Sequence, residues 1–134
     1  MSDVLINKAA TIERCVKRAR EEYDKGPDTF ATDYTRQDAA ILNIQRACEA
    51  SLDMANHLIR SQKLGIPQSS RDAFTLLEQA NLIPASLADT MKKMVGFRNI
   101  AVHDYQTLQL PITVAIIEKH LDDFLAFSKT LLQL

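Results

Sequence analysis

The sequence predicts an all-α fold, an up-and-down bundle of four long helices and one short helix. Apolar residues recur at intervals of three and four along most of the chain, which is the period of an amphipathic helix. The breaks between these stretches are short and contain Gly or Pro, and no stretch of strand length alternates apolar with polar residues. Short connections favour helices that run antiparallel to their neighbours.

The first helix is predicted over residues 3–25. Ser2 or Asp3 is a suitable N-cap, and Gly26-Pro27 follows the last turn and ends the helix. Six residues at helical spacing form its inward face: Leu5, Ala9, Ile12, Val16, Ala19 and Tyr23. Such a stripe predicts a helix that packs along its whole length.

The second helix is predicted over residues 36–64 and is the longest. Thr35 with Asp38 offers it a weak capping pair, and Gly65 ends it. Its inward stripe consists of Ile41, Ile44, Cys48, Leu52, Ala55 and Ile59.

Three more helices are predicted after it. A short helix over residues 70–80 begins at the capping residue Ser70, and the segment 81–84 breaks it. The fourth helix begins near Ala85, and the last runs over residues 111–131 with Pro at its favoured first position.

Composition indicates a single domain over residues 1–134. The chain is 46% apolar and 25% charged, and a chain of this length buries enough surface to hold its own core. Cys15 and Cys48 lie far apart without metal-type spacing, so we expect two buried thiols and no metal or other cofactor. The first thirty residues carry charges and no long apolar run, which predicts neither signal peptide nor membrane span and a cytoplasmic location.

Polar side chains crowd into residues 96–105, within an otherwise apolar run. Because the net charge is −1, any site for a polyanion must be local. Within eight positions the segment supplies a guanidinium, an amide, an imidazole, a carboxylate and a phenol: Arg98, Asn99, His103, Asp104 and Tyr105. An arginine that clamps anions and a histidine that carries protons near neutral pH are the parts of phosphoryl chemistry.

These side chains do not converge on one straight helix. Asn99 and His103 lie four apart on one face, so the amide would orient the ring or contact the same ligand. Arg98 lies five residues before His103, which rotates it by about 140° and displaces it by about 7.5 Å. Either the helix ends or bends near His103, where Gly96 allows close backbone approach, or Arg98 reaches a second copy. We expect both.

A purely structural interpretation of this segment stays open on spacing alone. A helix C-terminus favours Arg and His through its dipole. A cluster of Arg, His and Tyr also forms interhelical hydrogen-bond networks without any catalytic role.

The string Arg98-Asn99-(three residues)-His103-Asp104-Tyr105 resembles the Arg-(four residues)-His-any-Tyr signature of HEPN-domain ribonucleases. It is most similar to the HepT toxins of HepT/MntA type VII toxin-antitoxin pairs. The chain length, the helical order, the position of the motif before a final helix and the Asp38-Ala39-Ala40 opening also resemble that family. The resemblance covers nearly the whole chain and implies a HEPN-like bundle, an endoribonuclease activity and a homodimer.

RNA carries its own nucleophile in the 2'-hydroxyl, so a metal-free ribonuclease needs only proton transfer and charge stabilisation. We assign His103 as general base or acid and Arg98 as the clamp on the phosphate. Asn99 orients the histidine or the phosphate, and Tyr105 positions substrate or donates a hydrogen bond. The expected products are a 2',3'-cyclic phosphate and a 5'-hydroxyl.

A second copy of the motif would complete this chemistry. One histidine cannot both take the proton of the 2'-hydroxyl and protonate the leaving oxygen on the opposite side of the phosphorus. A two-fold homodimer would bring two copies of the motif into one cleft. Lys92 and Lys93, one to two turns before Arg98, would extend an anion groove and bind RNA.

The resemblance also implies a protein partner. In the HepT family an MntA-type nucleotidyltransferase antitoxin transfers AMP from ATP to the matching tyrosine, and the motif spacing assigns that role to Tyr105. We expect this phenol to be reachable from solvent, and the added phosphate would compete with RNA at Arg98 and His103. The alternative is that Tyr105 packs against the final helix and hydrogen-bonds a carbonyl.

The rival hypothesis from another class is a non-catalytic helical module that docks a nucleotidyltransferase and uses the motif as a polar interface. Incubation with labelled RNA in excess chelator separates the two hypotheses, because only the ribonuclease yields cyclic-phosphate ends.

Overall fold

The structure is a computed structural model that describes residues 2–134, and all regular elements within them are helical. The six α-helices are α1 (Asp3–Asp24), α2 (Tyr34–Ser61), α3 (Ser70–Gln79), α4 (Ala85–His103), α5 (Leu110–Lys119) and α6 (Leu121–Leu132). Two 3₁₀ turns, Pro27–Thr32 and Tyr105–Thr107, precede α2 and α5. The predicted all-α class is confirmed. Among residues 2–134 we find no helix with the length and apolar character that a membrane crossing requires.

The predicted count of five helices is wrong, because the last predicted helix is two. His120 separates α5 from α6 with a φ of −128° and a ψ of −4°. Its ring Nδ1 lies 2.9 Å from Asp123 Oδ2, which ties the break to the first turn of α6. The apolar spacing of Ile117, Leu121 and Phe124 continues across the break, so periodicity did not reveal it.

The start of α2 also differs from the prediction. Asp33, rather than Thr35 with Asp38, caps the helix: its Oδ1 accepts a hydrogen bond from the Arg36 backbone N–H at 3.1 Å. Asp38 is therefore free of capping, and its carboxylate meets a different group, as described below.

The core is continuous and joins α1 through α6. Aromatic side chains fill its centre, and Phe74 and Phe127 meet edge to face with ring centroids 5.4 Å apart. Cys15 and Cys48 are both buried and unpaired, as predicted.

The longest helix, α2, packs against α1, α3, α4 and α6. It runs antiparallel to α1, since Lys8 pairs with Asp53 near one end and Arg36 binds the Glu22 carbonyl at the other. It is also antiparallel to α4, because Glu49 meets Arg98 whereas the earlier Asp38 meets Tyr105. The polar segment predicted from the sequence therefore lies along α2.

Candidate active site at the end of helix α4

Arg98 lies in the last turns of α4 and points toward α2. Its Nε and Nη2 both donate to Glu49 Oε2, at 3.1 and 3.0 Å, and its Nη1 donates to Asn99 Oδ1 at 3.2 Å. A guanidinium has five N–H groups, and these bonds engage three of them. One N–H on each Nη nitrogen remains for an anion, and the side chain is 26% exposed.

Glu49 is a site residue that the sequence reasoning missed. It lies between the buried residues Cys48 and Ala50 and is itself only half-buried. The available signal was its spacing from Asp38: eleven residues are about three helical turns, which puts both carboxylates on one face of α2. A charged residue flanked by core positions needs a partner, and Arg98 supplies it.

Asn99 holds Arg98 rather than His103. Its Oδ1 accepts from the guanidinium, and within residues 2–134 the amide makes no hydrogen bond to the imidazole. The role of Asn99 in orienting the histidine or the phosphate stays a prediction.

His103 is the last residue of α4, and its side chain is exposed. The next residue, Asp104, leaves the helical conformation with a φ of −152° and a ψ of 53°. The predicted end of the helix near His103 is thus confirmed. The imidazole makes no hydrogen bond or ion pair within the described part of the chain, so both ring nitrogens are available to a ligand.

Tyr105 begins the 3₁₀ turn after α4 and reaches back to α2. Its phenol donates a hydrogen bond to Asp38 Oδ1, and the residue is 42% exposed. Solvent access is confirmed, but the alternative carbonyl partner is wrong, because the partner is a carboxylate. Burial, followed by the hydrogen bond to Asp38 and its negative charge, raises the pKa of the Tyr105 phenol well above its ordinary value.

Within one chain the motif does not close into a single hydrogen-bonded site. Arg98 and Tyr105 are anchored to α2 at positions about 16 Å apart along the helix axis, and His103 is bonded to neither. The sequence prediction that these groups do not converge on one helix is confirmed.

A cavity of about 350 Å³ opens beside Tyr105, between the start of α2 and α5. Tyr34, Gln37 and Asp38 line its α2 side, and Leu110 and Thr113 line its α5 side. The buried Thr113 Oγ1 has no hydrogen-bond partner among residues 2–134. The cavity therefore combines apolar walls with polar groups next to the phenol.

A second cavity, of about 550 Å³, is an apolar groove between α4 and α5 on the other side of the motif. Its lining includes Phe97, which immediately precedes Arg98, and Met94. Two large apolar side chains of the groove are exposed, Ile100 by 41% and Ile112 by 50%. We call this surface the α4–α5 groove.

The remaining predicted residues lie one to two turns before Arg98. Lys93 is exposed and lines the α4–α5 groove, whereas Lys92 is half-buried. The Lys92 carbonyl accepts from Arg71 Nε of α3 at 3.3 Å. A Cβ on Gly96 would lie 2.9 Å from Arg71 Nη2, so the predicted close approach at this glycine is that of an α3 side chain.

Comparison with known proteins places this chain in a family. The family described as Ribonuclease HepT-like matches residues 12–131. The chain is also 59% identical, over 127 residues, to the mRNA nuclease HepT of Shewanella oneidensis, with 95% of each chain covered. This chain belongs to the HepT-like family.

Solved structures of similar proteins share the whole HepT-like fold. A tri-AMPylated HEPN toxin of Shewanella oneidensis in complex with an MNT antitoxin is 56% identical, covers 100% of both chains and superposes with a TM-score of 0.95. A toxin-antitoxin crystal structure with AMP-PNP contains a chain 54% identical to this one, also with a TM-score of 0.95. It covers 99% of this chain and 100% of that one.

Proposed function

We propose that this chain is the toxin of a toxin-antitoxin pair and a metal-independent endoribonuclease that acts in the cytoplasm as one domain. The observation that carries the proposal is the state of Arg98: Glu49 and Asn99 hold its guanidinium, and two of its N–H groups stay open to an anion. His103 follows five residues later and is exposed. The mRNA nuclease activity named for the Shewanella oneidensis relative supports it.

Arg98 binds the scissile phosphate in this mechanism. Glu49 orients the guanidinium before substrate arrives, so little rotamer freedom is lost when the phosphate binds. Its two open N–H groups stabilise the negative charge that grows on the phosphate oxygens in the transition state. Asn99 holds the Nη1 nitrogen of the guanidinium through its Oδ1 and contacts the same phosphate.

His103 transfers the protons. Its exposed imidazole takes the proton of the 2'-hydroxyl or gives one to the leaving 5'-oxygen, which produces a 2',3'-cyclic phosphate and a 5'-hydroxyl. Tyr105 positions the RNA at the end of the site, and Lys92 and Lys93 add positive charge along α4.

A homodimer supplies the second histidine. The α4–α5 groove lies beside the motif, and its exposed Ile100 and Ile112 are the side chains that a second copy would cover. A two-fold axis near α4 brings both copies of Arg98 and His103 toward one cleft. The proposed assembly thus supplies a base and an acid from identical chains.

An MntA-type nucleotidyltransferase antitoxin neutralises the toxin by adenylylating Tyr105. The phenol is exposed at the end of the site, and the similar HEPN toxin is tri-AMPylated in complex with an MNT antitoxin. The added phosphate is a competitor for the open N–H groups of Arg98, and the nucleotide fills the space that RNA would occupy.

The test is cleavage of end-labelled RNA by the purified chain in excess chelator. We expect internal cuts with 2',3'-cyclic-phosphate ends, abolished in His103→Ala and retained in the matched control His57→Ala, whose histidine lies on α2 outside the site. A folded wild-type dimer that leaves all RNA intact would exclude the ribonuclease proposal and favour the docking module.

A further inference from the structure

We propose that Asp38 is a catalytic residue of the modification reaction, the base that takes the phenol proton of Tyr105 when AMP is transferred. The inference rests on the proposed adenylylation of Tyr105. It assigns the base of that reaction to the toxin rather than to its antitoxin.

The contact between the two residues is direct. The Tyr105 phenol donates its only proton to Asp38 Oδ1. The phenol proton is therefore directed at the carboxylate before any nucleotide arrives. A candidate base must be within hydrogen-bond reach of the proton that it abstracts, and Asp38 satisfies this condition.

Asp38 has no competing charge partner. Ion pairs in residues 2–134 engage Asp33, Asp53 and Glu49 of the same region, but none involves Asp38. Its side chain is exposed and does not cap α2. The Glu49 carboxylate accepts two hydrogen bonds from the Arg98 guanidinium, whereas the hydrogen bond that Asp38 accepts comes from the neutral Tyr105 phenol.

The phenol needs such a base. Its pKa is raised by burial and by Asp38, so the phenolate is scarce near neutral pH. Removal of the proton during attack avoids that unfavourable ionisation. Protein kinases solve the same problem with an aspartate that accepts the proton of the substrate hydroxyl.

The step balances with ATP as the co-reactant. The Tyr105 phenol oxygen attacks the α-phosphorus, and a new O–P bond forms. The bond from the α-phosphorus to the bridging oxygen breaks, and its electron pair leaves with pyrophosphate. The phenol proton moves to Asp38 Oδ1 and then to water, because the carboxyl group is exposed.

The surroundings of the pair admit a nucleotide. Tyr105 and Asp38 both line the cavity of about 350 Å³ between α2 and α5, a volume within the range of small-molecule sites. Tyr105 is 42% exposed, so part of its side chain faces solvent at this cavity.

Asp38→Asn tests the proposal, because the amide keeps an oxygen that accepts the phenol hydrogen bond but does not take its proton. Purified chain is mixed with its nucleotidyltransferase, Mg²⁺ and ATP, and the initial rate of AMP incorporation is read by intact mass. We expect a loss of at least about 10²-fold in Asp38→Asn, and an equal loss in Asp38→Ala. Asp104→Asn, which removes a neighbouring exposed carboxylate outside the contact, is the matched control and keeps the wild-type rate.

The outcomes separate this inference from the proposed function. If Asp38→Asn incorporates AMP at the wild-type rate while Asp38→Ala incorporates it slowly, Asp38 only positions the phenol. That result would overturn the proposal. Incorporation into Tyr105→Phe would instead show that another residue is modified and overturn the proposed adenylylation itself. Wild-type helical content of Asp38→Asn by circular dichroism is the accompanying proof that this variant is folded.

Discussion

Helix α2 presents two carboxylates to the motif, and each binds a different kind of donor. Glu49 accepts two hydrogen bonds from Arg98, so this pair fixes the position of a guanidinium. Asp38 meets Tyr105, a neutral acid, so this pair holds a proton that can move. One helix face thus holds the proposed anion clamp at one end and the proposed site of modification at the other.

The two pairs also differ in setting. Arg98 lies within the regular part of α4 and is 26% exposed, whereas Tyr105 lies in the 3₁₀ turn beyond the helix and is 42% exposed. A side chain held on a helix keeps its geometry for catalysis. A side chain on an exposed turn is accessible to a second enzyme.

The largest effect is expected from His103→Ala and Arg98→Ala, which remove the proton carrier and the clamp. Each variant should cleave RNA about 10²- to 10⁴-fold more slowly, while its helical content stays unchanged. Single-turnover cleavage with circular dichroism measures both quantities. A folded His103→Ala chain that cuts at the wild-type rate would contradict the proton-transfer role.

Ile112→Glu tests whether RNA cleavage at Arg98 requires a second copy of the chain. A charge in the α4–α5 groove would oppose association, so we expect a monomer by light scattering and a loss of cleavage of about 10²-fold. Ile66→Glu is the matched control, because Ile66 is 81% exposed and lies outside the groove. A monomeric wild-type chain that cleaves RNA would remove the need for a composite site.

Glu49→Gln should weaken the clamp without destroying it. The half-exposed ion pair contributes only about 1 kcal/mol or less to stability, but a freed guanidinium loses its preset orientation. We expect cleavage to fall by about 10-fold at an unchanged melting temperature. Asp53→Asn breaks the Lys8–Asp53 pair of the same helix and should cleave normally. Equal rates for the two variants would assign Glu49 a structural role only.

The smallest effect concerns the ionisation of Tyr105. Tyrosinate absorbance of the wild type minus that of Tyr105→Phe isolates this phenol, and its midpoint should lie above the usual value of about 10. Asp38→Asn should lower the midpoint without restoring the usual value, because burial is the larger cause. The folded chain holds the phenol proton of Tyr105 more tightly than the unfolded chain does. The protonated phenol therefore favours the folded state below about pH 10, and this contribution to the free energy of unfolding is lost as the pH rises further. A midpoint unchanged by Asp38→Asn would contradict the contact.

Much of this structure was predictable because helical period is a local signal. The spacing of apolar residues located α1 to α4, and the five-residue separation of Arg98 from His103 predicted that they would not converge. The break at His120 was missed, since a change of direction need not interrupt the apolar period.

Tertiary partners were harder to predict. Glu49 precedes Arg98 by forty-nine residues, and nothing in the local sequence links them. For Asp38 the sequence predicts only a place in the opening of the second helix, as part of its cap. Both carboxylates acquire their roles from the antiparallel packing of α2 on α4, which no single segment encodes.

RNA cleavage and AMP incorporation measured side by side on Glu49→Gln and Asp38→Asn test the division between the two pairs most directly. We expect each variant to lose mainly one activity. Glu49→Gln loses cleavage by about 10-fold and accepts AMP normally. Asp38→Asn, whose amide oxygen still accepts the Tyr105 hydrogen bond, accepts AMP at least about 10²-fold more slowly and loses less cleavage than Glu49→Gln. If both variants lose the same activity, or if neither loses any, the two carboxylates of α2 do not divide the site in this way.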